Sequence, residues 1–157
     1  MRHLKTYESF YDRIESDLES GKYRKRQEHL RVLEDMSLEL WDDNFNVQLG
    51  SIYSPPDKNY MKVTFQKRGH NLNFNYDNIK DTLLSMVSYM ESEGYKIRSI
   101  SILIDGVFNY LPAIVKDDKL YLDDTININN VQNLSKVVDE SKEILNPIIQ
   151  LVIKFEE

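Results

Sequence analysis

The sequence predicts an α+β fold, an antiparallel sheet carrying helices and preceded by a helical hairpin. Three observations lead there. Ile79, Leu83, Met86, Val87 and Met90 recur at spacings of three and four, the stripe of a helix packed on one side. That helix runs into a strand in which Ile100, Ile102 and Ile104 share one face. Two further alternating stretches, 45–66 and 113–122, read as hairpins.

In chain order, Leu4, Tyr7, Phe10 or Tyr11, Ile14 and Leu18 predict a first amphipathic helix, stopped near Ser20-Gly21. The basic stretch Lys22-Tyr23-Arg24-Lys25-Arg26 then reads as the link to a second helix, whose apolar side is Leu30, Leu33, Met36, Leu40 and Trp41. So short a link implies an antiparallel pair over 1–44, with the sheet domain over 45–157. Phe45, Val47 and Leu49 start the sheet, and Met61, Val63 and Phe65 answer them across the turn Pro55-Pro56-Asp57-Lys58-Asn59. Leu72, Phe74 and Tyr76 suggest a further short strand. Asn78 and Asp81 fit the start of the central helix, and Gly94 fits the left-handed turn after it.

Beyond Asp105-Gly106, Ile114-Val115 and Leu120-Tyr121-Leu122 flank Asp117-Asp118-Lys119 as the second hairpin. Val131, Leu134, Val137 or Val138, and Ile144 or Leu145 predict a last helix over 130–145, ended by Asn146-Pro147. Ile149, Leu151, Ile153 and Phe155 form a closing strand. The sequence of elements contains β-α-β-β-α-β, so the expected architecture is ferredoxin-like, with the N-terminal hairpin added.

A chain of 157 residues with 41% apolar and 11% aromatic content can bury a core. Its net charge of −6 speaks against general nucleic-acid binding, which draws on clustered cations. With no cysteine, disulfides, thiolate catalysis and cysteine-ligated zinc are excluded. No run is long and apolar enough to span a membrane, and the start lacks the core of a secretion signal. A soluble intracellular protein is expected.

Motifs for chemistry are sparse. Asp42-Asp43, Asp117-Asp118 and Asp123-Asp124 are carboxylate pairs, yet each falls where a turn is expected, and aspartate favours turns. His3, His29 and His70 lie in separate elements without metal-ligand spacing. His70, in a polar loop, is the one to test as a general base, but no nucleophile accompanies it. Five glycines form no phosphate-cradling loop. No catalytic residue, metal or cofactor is expected.

Two binding surfaces stand out. Lys22, Tyr23, Arg24, Lys25 and Arg26, with Arg31 a turn or so beyond, suit a nucleic-acid corner in which Tyr23 stacks on a base. The aromatic stripe Tyr7, Phe10, Tyr11, Ile14 and Leu18 suits docking into a neighbouring subunit or partner groove.

The opening Met1-Arg2-His3-Leu4-Lys5-Thr6-Tyr7-Glu8-Ser9-Phe10 resembles the start of small uncharacterised proteins of tailed bacteriophages. Leu38 to Val47 is similar to a helix-to-strand junction in such proteins. The resemblance implies a viral origin and a place in the host cytoplasm or virion. The expected function is therefore a non-enzymatic phage protein acting through protein contacts or self-association, as virion component or accessory factor. The alternatives are a nucleic-acid module using the Lys22–Arg26 corner, an acidic inhibitor of a host defence protein, and a hydrolase using His70 or an aspartate pair.

Overall fold

The computed structural model describes residues 22–52 and 60–157, less positions 133, 137, 139, 140, 145 and 146. The expected first helix, with Tyr7, Phe10, Tyr11, Ile14 and Leu18, lies outside the described residues, as does the turn at 55–59.

The first described element is α1 (Lys22–Asp42). Here the reading of 22–26 as a link is corrected: the basic stretch forms the first turns of the helix. Lysine, arginine and glutamine are good helix formers, and no glycine or proline interrupts the chain from 22 to 42. The most buried side of α1 is Arg26, His29, Leu33, Ser37 and Leu40. Leu30 and Met36 pack beside the core, and Leu38 is exposed. Asn44, at φ 66, turns the chain into the sheet. Arg68 donates to the Trp41 carbonyl at 2.6 Å and lies over the Trp41 ring, satisfying one carbonyl of the last helical turn.

β1 (Phe45–Ile52) and β2 (Tyr60–Lys67) are antiparallel in unbroken register from Phe45↔Lys67 to Ile52↔Tyr60. Phe74 makes only an isolated bridge to Ile148, and Tyr76 begins α2 (Tyr76–Ser92), so the short strand expected at 72–76 is not formed. Asn75 precedes α2, and its backbone N–H donates to the Asn78 side chain at 2.9 Å. At the other end Gly94, at φ 90, takes the left-handed turn, and Tyr95 N–H reaches back to the Met90 carbonyl. β3 (Lys96–Ile104), β4 (Leu111–Lys116), β5 (Lys119–Leu122) and β6 (Ile148–Glu156) complete the sheet. Asp117 and Asp118, both at positive φ, make the tight two-residue turn between β4 and β5.

The sheet is antiparallel in the order β1-β2-β6-β3-β4-β5. β2 and β3, joined through α2, therefore run parallel to each other, with β6 inserted between them. This differs from the ferredoxin-like order, in which the closing strand lies at an edge. The physical reason is visible in β6 itself. Leu151, Val152 and Ile153 are all buried, an apolar run suited to a strand paired on both edges inside the sheet.

The helix expected at 130–145 is also corrected. Described residues there form two single 3-10 turns, Ile128–Asn130 and Leu134–Lys136, and bridges joining Tyr121 to Glu143 and Val138 to Ile144. Asparagines and β-branched valines are weak helix formers. The Asn127 side chain accepts from Asn129 N–H, a local turn that competes with a helix. Leu134, Val138 and Ile144 instead enter the core from an irregular chain.

One core cluster joins Leu33 and Leu40 of α1, the stripe Ile79, Leu83, Met86 and Met90 of α2, and the strand residues that share one face of the sheet. Both helices thus lie on that face. On the other, Val152 is buried but stands outside the cluster.

Candidate interaction surfaces

The two ends of the sheet are treated differently. β5 is short and begins with a lysine, and the chain beyond it pairs along its outer edge. Leu122 N–H donates to the Lys142 carbonyl and Ile144 N–H to the Leu120 carbonyl, each at 2.9 Å. β1 is eight residues long, and among the described residues nothing pairs with its outer edge. Its sequence, Phe45-Asn46-Val47-Gln48-Leu49-Gly50-Ser51-Ile52, holds no charge and no proline. Natural sheets blunt open edges with such residues, so a bare one is a site for strand pairing.

Beside that edge lies a groove of about 550 Å³ between α1 and β1. Leu30, Leu38, Trp41, Val47 and Leu49 give its apolar lining, with Gln27, Arg31 and Glu34 at its rim. Leu38 is 56% exposed, which places a large apolar side chain in water.

The charges of α1 are divided along its length. Lys22, Arg24, Lys25, Arg26 and Arg31 occupy the first half with Glu28, while Glu34, Asp35, Glu39 and Asp42 follow without a cation, and Asp43 comes directly after the helix. Its first turn holds no acid and its last turn no base. This runs against the helix macrodipole, which favours anions at the N-terminus and cations at the C-terminus by about 0.3–1 kcal/mol each.

The basic corner itself does not open as one patch. Arg26 is only 5% exposed and sits against Tyr95, facing α2 and away from the groove. Arg24, Lys25 and Arg31 are exposed. His29, only 7% exposed, places Nδ1 2.9 Å from the Tyr89 hydroxyl and makes edge-on ring contacts with Tyr89 and Tyr95. The Tyr95 hydroxyl donates to the Glu157 carboxylate at 3.1 Å. Burial first, then Glu157, push that hydroxyl up to about 12, with Arg26 acting the other way. The group locks α1 to α2 and to the chain end, and it offers no nucleophile.

The other sequence candidates remain apart. His70 is exposed in a polar crevice with Asn44, Lys67, Arg68, Gly69 and Asn71, a setting without a carboxylate. Asp123 accepts from Thr125 N–H and Oγ1, which hold its carboxyl below the usual range, so this carboxylate serves the turn. Among the described residues no cluster of His, Asp and Glu is arranged to hold a metal ion.

Near the start of α2 a polar crevice of about 330 Å³ is lined by Tyr76, Asp77, Lys80, Asp118, Lys119 and Glu143. The Tyr76 hydroxyl is buried, without a hydrogen-bond partner among the described residues. Burial first, then the Asp118 and Asp77 charges, raise its pKa from 10.0 to about 12. The unfolded chain releases that proton near pH 10 and the folded chain holds it to about 12. Stability from this group is intact below pH 10 and is lost as pH rises through that window. Tyr76→Phe is expected to raise neutral-pH stability by about 1 kcal/mol and to flatten the alkaline fall. Urea unfolding at pH 7 and across pH 9–12 measures both, and destabilisation at pH 7 would show that the hydroxyl has a partner.

No family model, no curated protein and no solved structure matches this chain. Among the described residues no helix is long and apolar enough to cross a membrane.

Proposed function

We propose that the protein is a non-enzymatic contact protein that works as an assembly of its own copies, joined edge to edge through β1. The uncharged eight-residue edge of β1, unpaired among the described residues, carries this reading. Strand addition along such an edge supplies affinity through main-chain hydrogen bonds, and the neighbouring groove supplies specificity.

The helix charges favour a second copy as the occupant. Two β1 strands paired antiparallel about a two-fold axis continue the sheet and keep corresponding faces on the same side. Both α1 helices then lie on one face and run in opposite directions. The basic half of each meets the acidic half of the other, offsetting the charge arrangement that the dipole disfavours in one helix alone. The exposed Leu38 and the groove beside it close against their equivalents. On this reading the assembled chain serves as a phage virion component or accessory factor, the role to which its opening residues point by resemblance.

Two charge-reversed chains test the pairing. One carries Arg24→Glu and Arg31→Glu, the other Glu34→Lys and Asp35→Lys. Sedimentation is expected to give a dimer for the native chain, weakened by salt, monomers for each variant alone, and a dimer again when the variants are mixed. A native chain that stays monomeric at several hundred micromolar overturns the proposal. So do variants that dimerise alone.

A further inference from the structure

The face of the sheet turned away from the helices carries a second, independent site, which we infer binds single-stranded nucleic acid. Strand register assembles it from residues far apart in sequence. Lys62 of β2 lies opposite Lys154 of β6, and Ser99 of β3 lies opposite Lys154 from the other side. The register shifts between Ile97 and Ser99, so Arg98 is the extra residue of a bulge. A bulge re-aims its side chain, and here the guanidinium reaches across β6 to lie 4.9 Å from the centre of the Tyr60 ring. Lys154 Nζ is 5.0 Å from the same ring. Three cations, Lys62, Arg98 and Lys154, thus gather at one end of this face in a chain whose net charge is −6. The acid beside them, Glu156, is held at 3.7 Å by a fourth cation, Lys96.

The middle of the face is uncharged: Thr64, Val152 and Ser101 stand side by side in register, the first two buried and Ser101 half-buried, so the contacts offered to a ligand lie at its two ends. At the far end the Tyr110 hydroxyl donates to Gln150, and Gln150 Nε2 donates to Gln66 at 2.8 Å, which lays Tyr110 along the sheet. Tyr110 is 52% exposed and Phe108, beside it, 85%. From Gln150 to Lys154 along β6 is about 13 Å at 3.3 Å per residue, room for roughly two nucleotides. Phosphates at the cationic end and bases on the aromatic end match what single strands require: a charged track and ring faces on which any base stacks. A duplex hides its base faces, so it cannot use both ends.

The test is fluorescence anisotropy with labelled twelve-residue oligothymidine and oligouridine, a duplex of the same length, and polyglutamate as competitor. Both single strands are expected to bind at 50 mM salt and the duplex about tenfold more weakly. Affinity should fall with salt at a slope near −2, since each phosphate neutralised on a single strand contributes about 0.7. Lys62→Gln with Lys154→Gln should weaken binding at least tenfold and remove about 1.4 of that slope. Phe108→Ala with Tyr110→Ala should weaken it about fivefold with the slope unchanged. A preference for DNA or RNA between the two strands identifies the source. Absence of binding at 50 mM salt, a duplex bound as well as the single strands, or full competition by polyglutamate would each overturn the assignment. So would loss of binding on replacing Lys25 and Arg31, which would move the site to α1.

Discussion

Ile102→Asp is expected to abolish the fold, and Ser101→Asp, one residue away, to be tolerated. Ile102 is fully buried within the core cluster, paired to Leu151 on one side and Leu111 on the other. A carboxylate there meets only apolar side chains. It would either be buried charged or protonated without a partner, at a cost of several kcal/mol, a large part of a typical domain's roughly 5–15. Ser101 faces the opposite way, onto the side of the sheet turned away from α1 and α2, where it is half-exposed and water and the Lys62 and Lys154 ammonium groups can receive an acid. Chemical denaturation of the two variants ranks them directly. The reverse order would mean that the faces of β3 are exchanged, and both the core and the cationic face would go with them.

The parts of this fold that could be read from sequence are those where one short-range signal decides the outcome. The α2 stripe, the alternation in β1, β2 and β3, the Asp117-Asp118 turn and the left-handed Gly94 all follow from period or turn chemistry. The segment 130–145 failed because its apolar spacing is compatible with a helix, while its asparagines and valines favour local turns and its apolar residues find the core singly. Strand order failed for another reason: alternation tells which face a strand buries but not its neighbours. Only the apolar run at Leu151, Val152 and Ile153 hinted at a central place.

The surfaces divide in the same way. The basic half of α1 was legible as a cluster, but its acidic counterpart mattered only once 22–42 proved to be a single helix. The bareness of β1 was equally plain in its composition, and it became informative only with β1 known to be an edge. The cationic face could not be read at all. Lys62, Arg98 and Lys154 come from three strands, and their meeting depends on β6 entering between β2 and β3 and on the bulge at Arg98.

That central place of β6 sets up the second large effect, the loss of the fold on Val152→Pro. The two side chains are close in size, so the change acts mainly on the backbone. Val152 pairs with Thr64 of β2 and Ser101 of β3, so its N–H lies inside the sheet whichever way it points. Proline removes that donor and sets its ring against a neighbouring strand, which is why it is confined to edges and bulges. The expected cost is again several kcal/mol, enough to unfold a domain of ordinary stability. Val152→Ala supplies the comparison, since it trims the side chain and leaves the ladder intact, at about 1 kcal/mol. In a ferredoxin-like order the closing strand would lie at an edge, and proline would be tolerated wherever the N–H faced water. Thermal unfolding of the two variants separates the arrangements. A proline variant as stable as the alanine variant would remove β6 from the centre, and a cooperative transition lost only with proline places the whole sheet around it.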